Sequence, residues 1–383
     1  MWLAFTLFGL SFLLVVFGVE VLLRHWASRP FFSSEPVAGF SKHGADGQGS
    51  WLLPADVVAA RDPGFSQVQW TELTAWRTRT YEKPANERWT PFDGGPQLNR
   101  LSAVDFQGTE FSIRNRERTT TGQPIHFTND VLCYGGSTTF CMEVADSQTW
   151  CSVVQRKLVE RGHNHYRVRN LGIPGTPGLE RIMTCRLTAQ PQRGDILVFF
   201  FGDNDSGWKQ YGKRTGRIHT HLPSYLRLLL RLSNRSELAG WIYGELSPRH
   251  LPRLAVEMAE TTIEAAEDID RFAKSVGANV LFVLQPNIYT LTKPDFWDHK
   301  IMDATASDHR LVLDSAYGRF MEWISHSDIA VSAIRLFCEE SPSPYMGDAL
   351  HVNSRGNELI GDFVFTELES RNLLVRKEDC NHL

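Results

Sequence analysis

The spacing of apolar positions changes twice along the 383-residue chain. From Trp2 to Val19, and again over Val21 to Leu23, almost every position is apolar. As a helix this run reaches across a hydrocarbon core of about 30 Å, so a transmembrane anchor over residues 1–24 is expected. No Lys or Arg precedes Arg24, and the chain continues as "RHWASRP", without the basic start and small-residue exit of a cleaved leader. Glu20 stands four residues before Arg24 and can pair with it on one helix face. From 30 to 129 no period is sustained. Gly, Pro, Thr and Trp separate short runs such as "FSQVQW" and "DFQGTEFSIRN", the texture of an irregular, short-stranded region.

After Asn129 apolar runs alternate with amphipathic stretches, the pattern of β-α units around a parallel sheet. "DVLCY", "YRVRNLG", "DILVFFF" and "NVLFVLQP" are the clearest strands, bounded by Gly, Pro, Asn or Asp, and a weaker fifth falls near Asp328 to Ala333. Unbroken apolarity in the third predicts burial on both faces. Helices are expected over Gln148 to Glu160, Leu179 to Ala189, Arg253 to Lys274 and Ser354 to Glu369. The fold class is α/β, a domain over 130–374 carrying an insert at 206–252.

Sheets of this kind bind ligands beyond the carboxyl ends of their strands. There the first strand hands over to "GGSTTF" with Ser137, the second to "NLGIPGTPG", the third to "FGDND", and the C-terminal part carries "GDALHVNSRGNELIG". A serine hydroxyl is a poor nucleophile until a base such as neutral His351 takes its proton. Asp348, three residues before His351, can orient the imidazole and stabilise its protonated form. The oxyanion that follows needs donors, for which the Ser137 amide, the Gly175 amide and the Asn204 side chain are candidates. Together these residues point to acyl transfer. Taken singly they say less: "GGST" also suits a plain turn, and "NDS" at Asn204 also reads as a glycosylation sequon.

Composition narrows the alternatives. A formal charge of −4, with 42% hydrophobic and 22% charged residues, describes a globular chain without a global positive field for nucleic acid. The basic run "RNRER", Arg114 to Arg118, is expected to be a solvated loop. "GGSTT" lacks the glycine spacing and lysine of a phosphate loop, and no G-x-S-x-G elbow is present. The six cysteines (Cys133, Cys141, Cys151, Cys185, Cys338, Cys380) show no C-x-x-C spacing, and His219 and His221 form the nearest thing to a metal pair. Cys133, inside a strand, is expected to be a buried thiol. No cofactor or metal is expected.

With these residues in place the sequence resembles the SGNH hydrolases, the GDSL-like esterase superfamily, over about 130–374, and among them its membrane-anchored members. Ser137 matches the family's nucleophile, Gly175 its oxyanion glycine, Asn204 its block-three asparagine, and Asp348 and His351 its acid and base. Gly136 stands where the namesake motif has aspartate. "FVLQP" and "EVLLR" are also similar to segments of anchored members. The resemblance implies a three-layer α/β/α fold with a flavodoxin-like sheet. It also implies a serine ester hydrolase, whose partners would be an ester-bearing small molecule or an acylated glycan. An O-acyltransferase using the same acyl-enzyme, a lipid esterase and a non-catalytic glycan-binding relative stay open. Arg24 and Arg29 after the anchor favour a cytoplasmic domain by the positive-inside rule, whereas the resemblance implies an extracytoplasmic one. The insert, with "SYLRLLLRL" and Trp208 and Trp241, reads either as a lid or as a helix packed on the sheet. Trp208, Trp241 and Trp297 can face a sugar ring or simply fill core.

Overall fold

The computed structural model describes, wholly or for the most part, residues 57–81, 105–174, 190–206, 237–304 and 307–374, with single positions between 225 and 236. The expected anchor at 1–24, the helix expected at 179–189, Gly175, Trp208, His219, His221 and most of the insert lie outside the described residues. Among the described residues no helix is long and apolar enough to cross a membrane.

The described helices are α1 (Gln67–Tyr81), α2 (Ser137–Phe140), α3 (Trp150–Glu160), α4 (Glu237–Leu246), α5 (Leu251–Val276), α6 (Phe296–Ala304), α7 (Ser307–Ile324) and α8 (Ser354–Ser370). The strands are β1 (Phe106–Gln107), β2 (Ser112–Arg114), β3 (Glu117–Arg118), β4 (Asn129–Gly135), β5 (Tyr166–Asn170), β6 (Ile196–Phe201), β7 (Asn279–Leu284) and β8 (Ala330–Ser332). The chain divides into two units, 51–209 with 255–383, and 1–50 with 210–254. In the second unit α4 is described, and the Tyr225 hydroxyl lies 2.9 Å from His250 Nε2. The sheet and the residues at its carboxyl edge lie in the first unit.

Its sheet runs β1-β2-β3-β5-β4-β6-β7-β8. The five strands from β5 to β8 are parallel, and β1 to β3 continue the β5 edge as antiparallel strands. β6 is buried at every position, as its unbroken apolar run requires. Neighbouring strand residues point to opposite faces: the Phe200 ring lies 5.7 Å from Trp150 of α3, and Phe201 lies 5.0 Å from Phe320 of α7. Helices therefore cover both faces, which lets β6 stay apolar throughout. Burying each such side chain contributes roughly 1.5–3 kcal/mol. The connection order matters for the site. From β4 the chain moves one way to β5, and the later β6 lies on the other side of β4. Loops leaving β4 and β6 thus diverge and open a crevice at the strands' carboxyl ends.

Two expectations for 105–129 and its surroundings need correction. "RNRER" is not a solvated loop: β2 and β3 pair across it, and Arg118 pairs with Asn170 of β5. That register carries Arg118 under the sheet edge, where it is 1% exposed. Its guanidinium stacks 3.8 Å from the Phe111 ring centroid and donates to Val144 O at 2.8 Å. The region read as irregular also contains α1, whose Leu73 packs with Phe106, Phe111, Ile113 and Phe140. Glu72 of α1 accepts hydrogen bonds from the amides of Thr109, Glu110 and Phe111. Trp70 packs against this same cluster.

Candidate active site

Gly135 and Gly136 end β4, and the chain turns at once into α2 with Ser137 as its first residue. Gly136 is required by close approach. A Cβ there would meet Asn204 Nδ2 at 2.5 Å, so the absence of a side chain lets the asparagine amide lie directly over the start of α2. The first amides of a helix have no acceptor within it, so the Ser137 and Thr138 N–H groups lead the turn beside that amide. On the other side, a Cβ at Gly172 would meet Phe140 N at 2.3 Å. The loop after β5 therefore passes hard under α2, fixed by Asn170 Nδ2 donating to Thr139 O at 2.7 Å. Cys141 ends α2 with φ of 55° and donates its thiol to Asn357 Oδ1 at 3.0 Å. Burial pushes the Cys141 thiol far up from its ordinary value, so it serves as a neutral donor.

The second half of the site comes from the stretch between β8 and α8. Asp348 Oδ1 accepts from the amides of Leu350 and His351 at 2.9 and 2.8 Å, which folds the chain back so that Asp348 Oδ2 meets His351 Nδ1 at 2.5 Å. A carboxylate can only accept, so Nδ1 carries the hydrogen and Nε2 presents a lone pair. Ser137 Oγ donates to that Nε2 at 2.7 Å. Burial alone would raise the Asp348 carboxyl, but electrostatic attraction to the facing imidazole, its ring hydrogen bond and the two amides outweigh it and hold the group well below the usual carboxylate range. Ser137 is 5% and His351 8% exposed, so both side chains are largely screened from bulk water.

This turn is held from far away. Asn353 caps α8, accepting from Gly356 N at 2.9 Å, and donates through Nδ2 to Arg61 O at 2.9 Å. Asp62 accepts from Ser354 N and Oγ at 3.1 and 2.6 Å. Arg61 is 6% exposed; it donates to Tyr345 O at 2.9 Å and pairs with Asp298 at 3.1 Å and with Asp295.

The structure thus brings Ser137, His351, Asp348 and Asn204 to one edge of the sheet; Gly175 lies outside the described residues. Sequence reading missed several neighbours. Glu143, 7% exposed, has Oε1 3.8 Å from His351 Nε2. Asp203, beside Asn204, hydrogen-bonds His309 Nε2 of α7, both groups buried. Gln285, at the end of β7, accepts from Thr138 Oγ1 at 3.0 Å. The signal for Glu143, Gln285 and Asp203 was there in one form: each follows an apolar run or glycine turn on the edge already singled out. Two small cavities adjoin the site. One touches Thr138, Glu143, Gln285 and Leu350, the other Gly136, Asn204 and Gln285, and each is about 10 Å³, the room of roughly one water.

The chain matches no protein-family profile and no curated protein. Among solved structures it is similar to a lipolytic protein of the G-D-S-L family from Veillonella parvula DSM 2008, at 13% identity over 63% of this chain and 97% of that one, with a TM-score of 0.36. It is also similar to an acetyl xylan esterase, AlAXEase, at 14% identity, 63% and 98% coverage and a TM-score of 0.37. A third is a catalytic mutant of Axe2, an acetylxylan esterase from Geobacillus stearothermophilus, at 15% identity, 64% and 95% coverage and a TM-score of 0.35.

Proposed function

We propose that this protein is a serine ester hydrolase of the SGNH type that works through an acyl-enzyme and removes small O-acyl groups, such as acetyl, from a carbohydrate or envelope glycan. The observation that carries the reading is the unbroken hydrogen-bond chain from Ser137 Oγ through His351 to Asp348, at 2.7 and 2.5 Å. As His351 Nε2 takes the hydroxyl proton, Oγ attacks the ester carbonyl, and Asp348 stabilises the imidazolium that forms. The oxyanion develops beside the Ser137 amide and the Asn204 amide, donors fixed before the reaction starts. Nε2 then gives its proton to the departing alkoxide. In the second half-reaction water attacks the Ser137 ester, its proton passes to Nε2, and that proton returns to Oγ as the carboxylic acid leaves.

A small acyl group is supported by the near burial of the reacting atoms and by the water-sized cavities that adjoin them. Anchoring by residues 1–24 and an extracytoplasmic setting complete the proposal. The apolar run of the sequence supports the anchor. The test is hydrolysis of a chromogenic acetate ester by the purified protein. Ser137→Ala and His351→Ala are expected to abolish turnover, and activity that survives both substitutions would reject the mechanism.

A further inference from the structure

We propose that Glu143 selects the acceptor that attacks the acyl-enzyme, holding water against His351 by the proton that is not transferred. This inference rests on the acyl-enzyme reading above. In the resting site His351 Nε2 is occupied by the Ser137 hydroxyl. Once Oγ is esterified it has no proton to donate, and Nε2 can take one from whatever will attack. That attacker must sit within hydrogen-bond reach of Nε2, and Glu143 Oε1 lies only 3.8 Å from the same nitrogen.

A water oxygen about 2.8 Å from each of these atoms bridges them with its two hydrogen bonds roughly 85° apart, bent from ideal but well formed. One O–H points to Nε2 and is broken as the oxygen bonds to the carbonyl carbon; the other stays intact and points to Glu143. A simple alcohol has one O–H, which it must give to Nε2, so the Glu143 carboxyl gains nothing from it. Glu143 is 7% exposed, two residues past the αL cap at Cys141, and it walls a water-sized cavity together with Thr138 and Gln285. Asp348 already orients the ring from the Nδ1 side. A second carboxyl on the reacting side is therefore redundant for orientation and is placed where the acceptor arrives.

The experiment is partition of the acetyl-enzyme between water and methanol at one fixed methanol concentration, read as methyl acetate against acetate from a nitrophenyl acetate donor. The ratio is independent of how fast Ser137 is acylated and of how much protein is folded. Glu143→Met keeps the volume and removes the acceptor; Glu143→Ala repeats the test should methionine misfold; Glu143→Gln keeps one acceptor oxygen. The methanol-to-water ratio is expected to rise about tenfold or more in E143M and E143A and to stay within about threefold of wild type in E143Q, since loss of one good hydrogen bond to a charged group is worth about that factor. An unchanged ratio in E143M and E143A overturns the role of Glu143 while leaving the esterase reading intact. A wild-type protein that shows no acetylated Ser137 by intact mass and forms neither product overturns the esterase reading itself.

Discussion

Two aspartate–histidine pairs, one buried and one partly so, lie at the carboxyl end of the sheet, and they differ in what the imidazole faces. Asp348 and His351 are three residues apart on one turn, bonded through Nδ1, with Ser137 Oγ on Nε2 at 2.7 Å. Asp203 and His309 come from the β6 loop and from α7, 106 positions apart, and meet through Nε2. The residue after Asp203 is Asn204, so the second pair fastens a helix to the loop that carries the amide over α2. An Asp–His pair by itself is thus no mark of catalysis. A pair made within one short loop turns the second ring nitrogen toward the Ser137 hydroxyl, whereas a long-range pair ties two elements together.

Breaking each pair should separate these roles. The largest effect is expected at the nucleophile and base: Ser137→Ala or His351→Ala should lower kcat on the order of 10⁴-fold or more, and the double variant should be little worse than either single one. Steady-state assays of the three variants check this. Next, Asn204→Ala should reduce kcat by about 10²- to 10³-fold with KM nearly constant, the signature of a donor used only in the transition state. Smaller again, Asp203→Asn and His309→Ala should cost about 3 kcal/mol of stability in urea denaturation, by leaving a buried partner unmatched, yet lower kcat less than about tenfold and leave the pH–rate profile in place.

The smallest effects are in acid, where two carboxyls carry opposite signs. Asp348 is held below its unfolded value, so the stability it adds is present above about pH 4 and lost as pH falls through the folded value. Asp146 is the reverse. Burial pushes it up to about 6 against the attraction of Arg118. Its contribution is full below its unfolded value of about 3.9 and is lost as pH rises through the folded one. Urea midpoints of Asp146→Asn should therefore fall less than those of wild type between about pH 4 and pH 6.5.

How much of this was legible in the sequence depends on where a residue's partners lie. The parallel strands announced themselves because burial on both faces leaves an unbroken apolar run, as in "ILVFFF" of β6. Ser137, Asn204, Asp348 and His351 were legible because chemistry limits which residue types can follow such strands. α1 was not, since "QVQWTELTAWRTRTY" has no apolar stripe; it is placed by Leu73 in one cluster and by Glu72 on three amides. Arg118 looked like solvent-facing charge until its strand register put it beneath Phe111. Glu143 and Asp203 stood on the edge already singled out, but their partners were hidden for a related reason: the contacts to His351 and His309 span long separations, and periodicity reports only local geometry.

On the proposed mechanism, the attachment of Arg61 and Asp62 to the α8 cap gives activity a place in the order of synthesis. A nascent chain that has emerged as far as β7 owns the nucleophile and the asparagine but no base. The imidazole arrives only after α6 and α7, and its turn settles when the α8 cap finds a segment made 292 residues earlier. If the proposed mechanism holds, ester cleavage would report that the Arg61–Asp62 segment and the α8 cap have been joined.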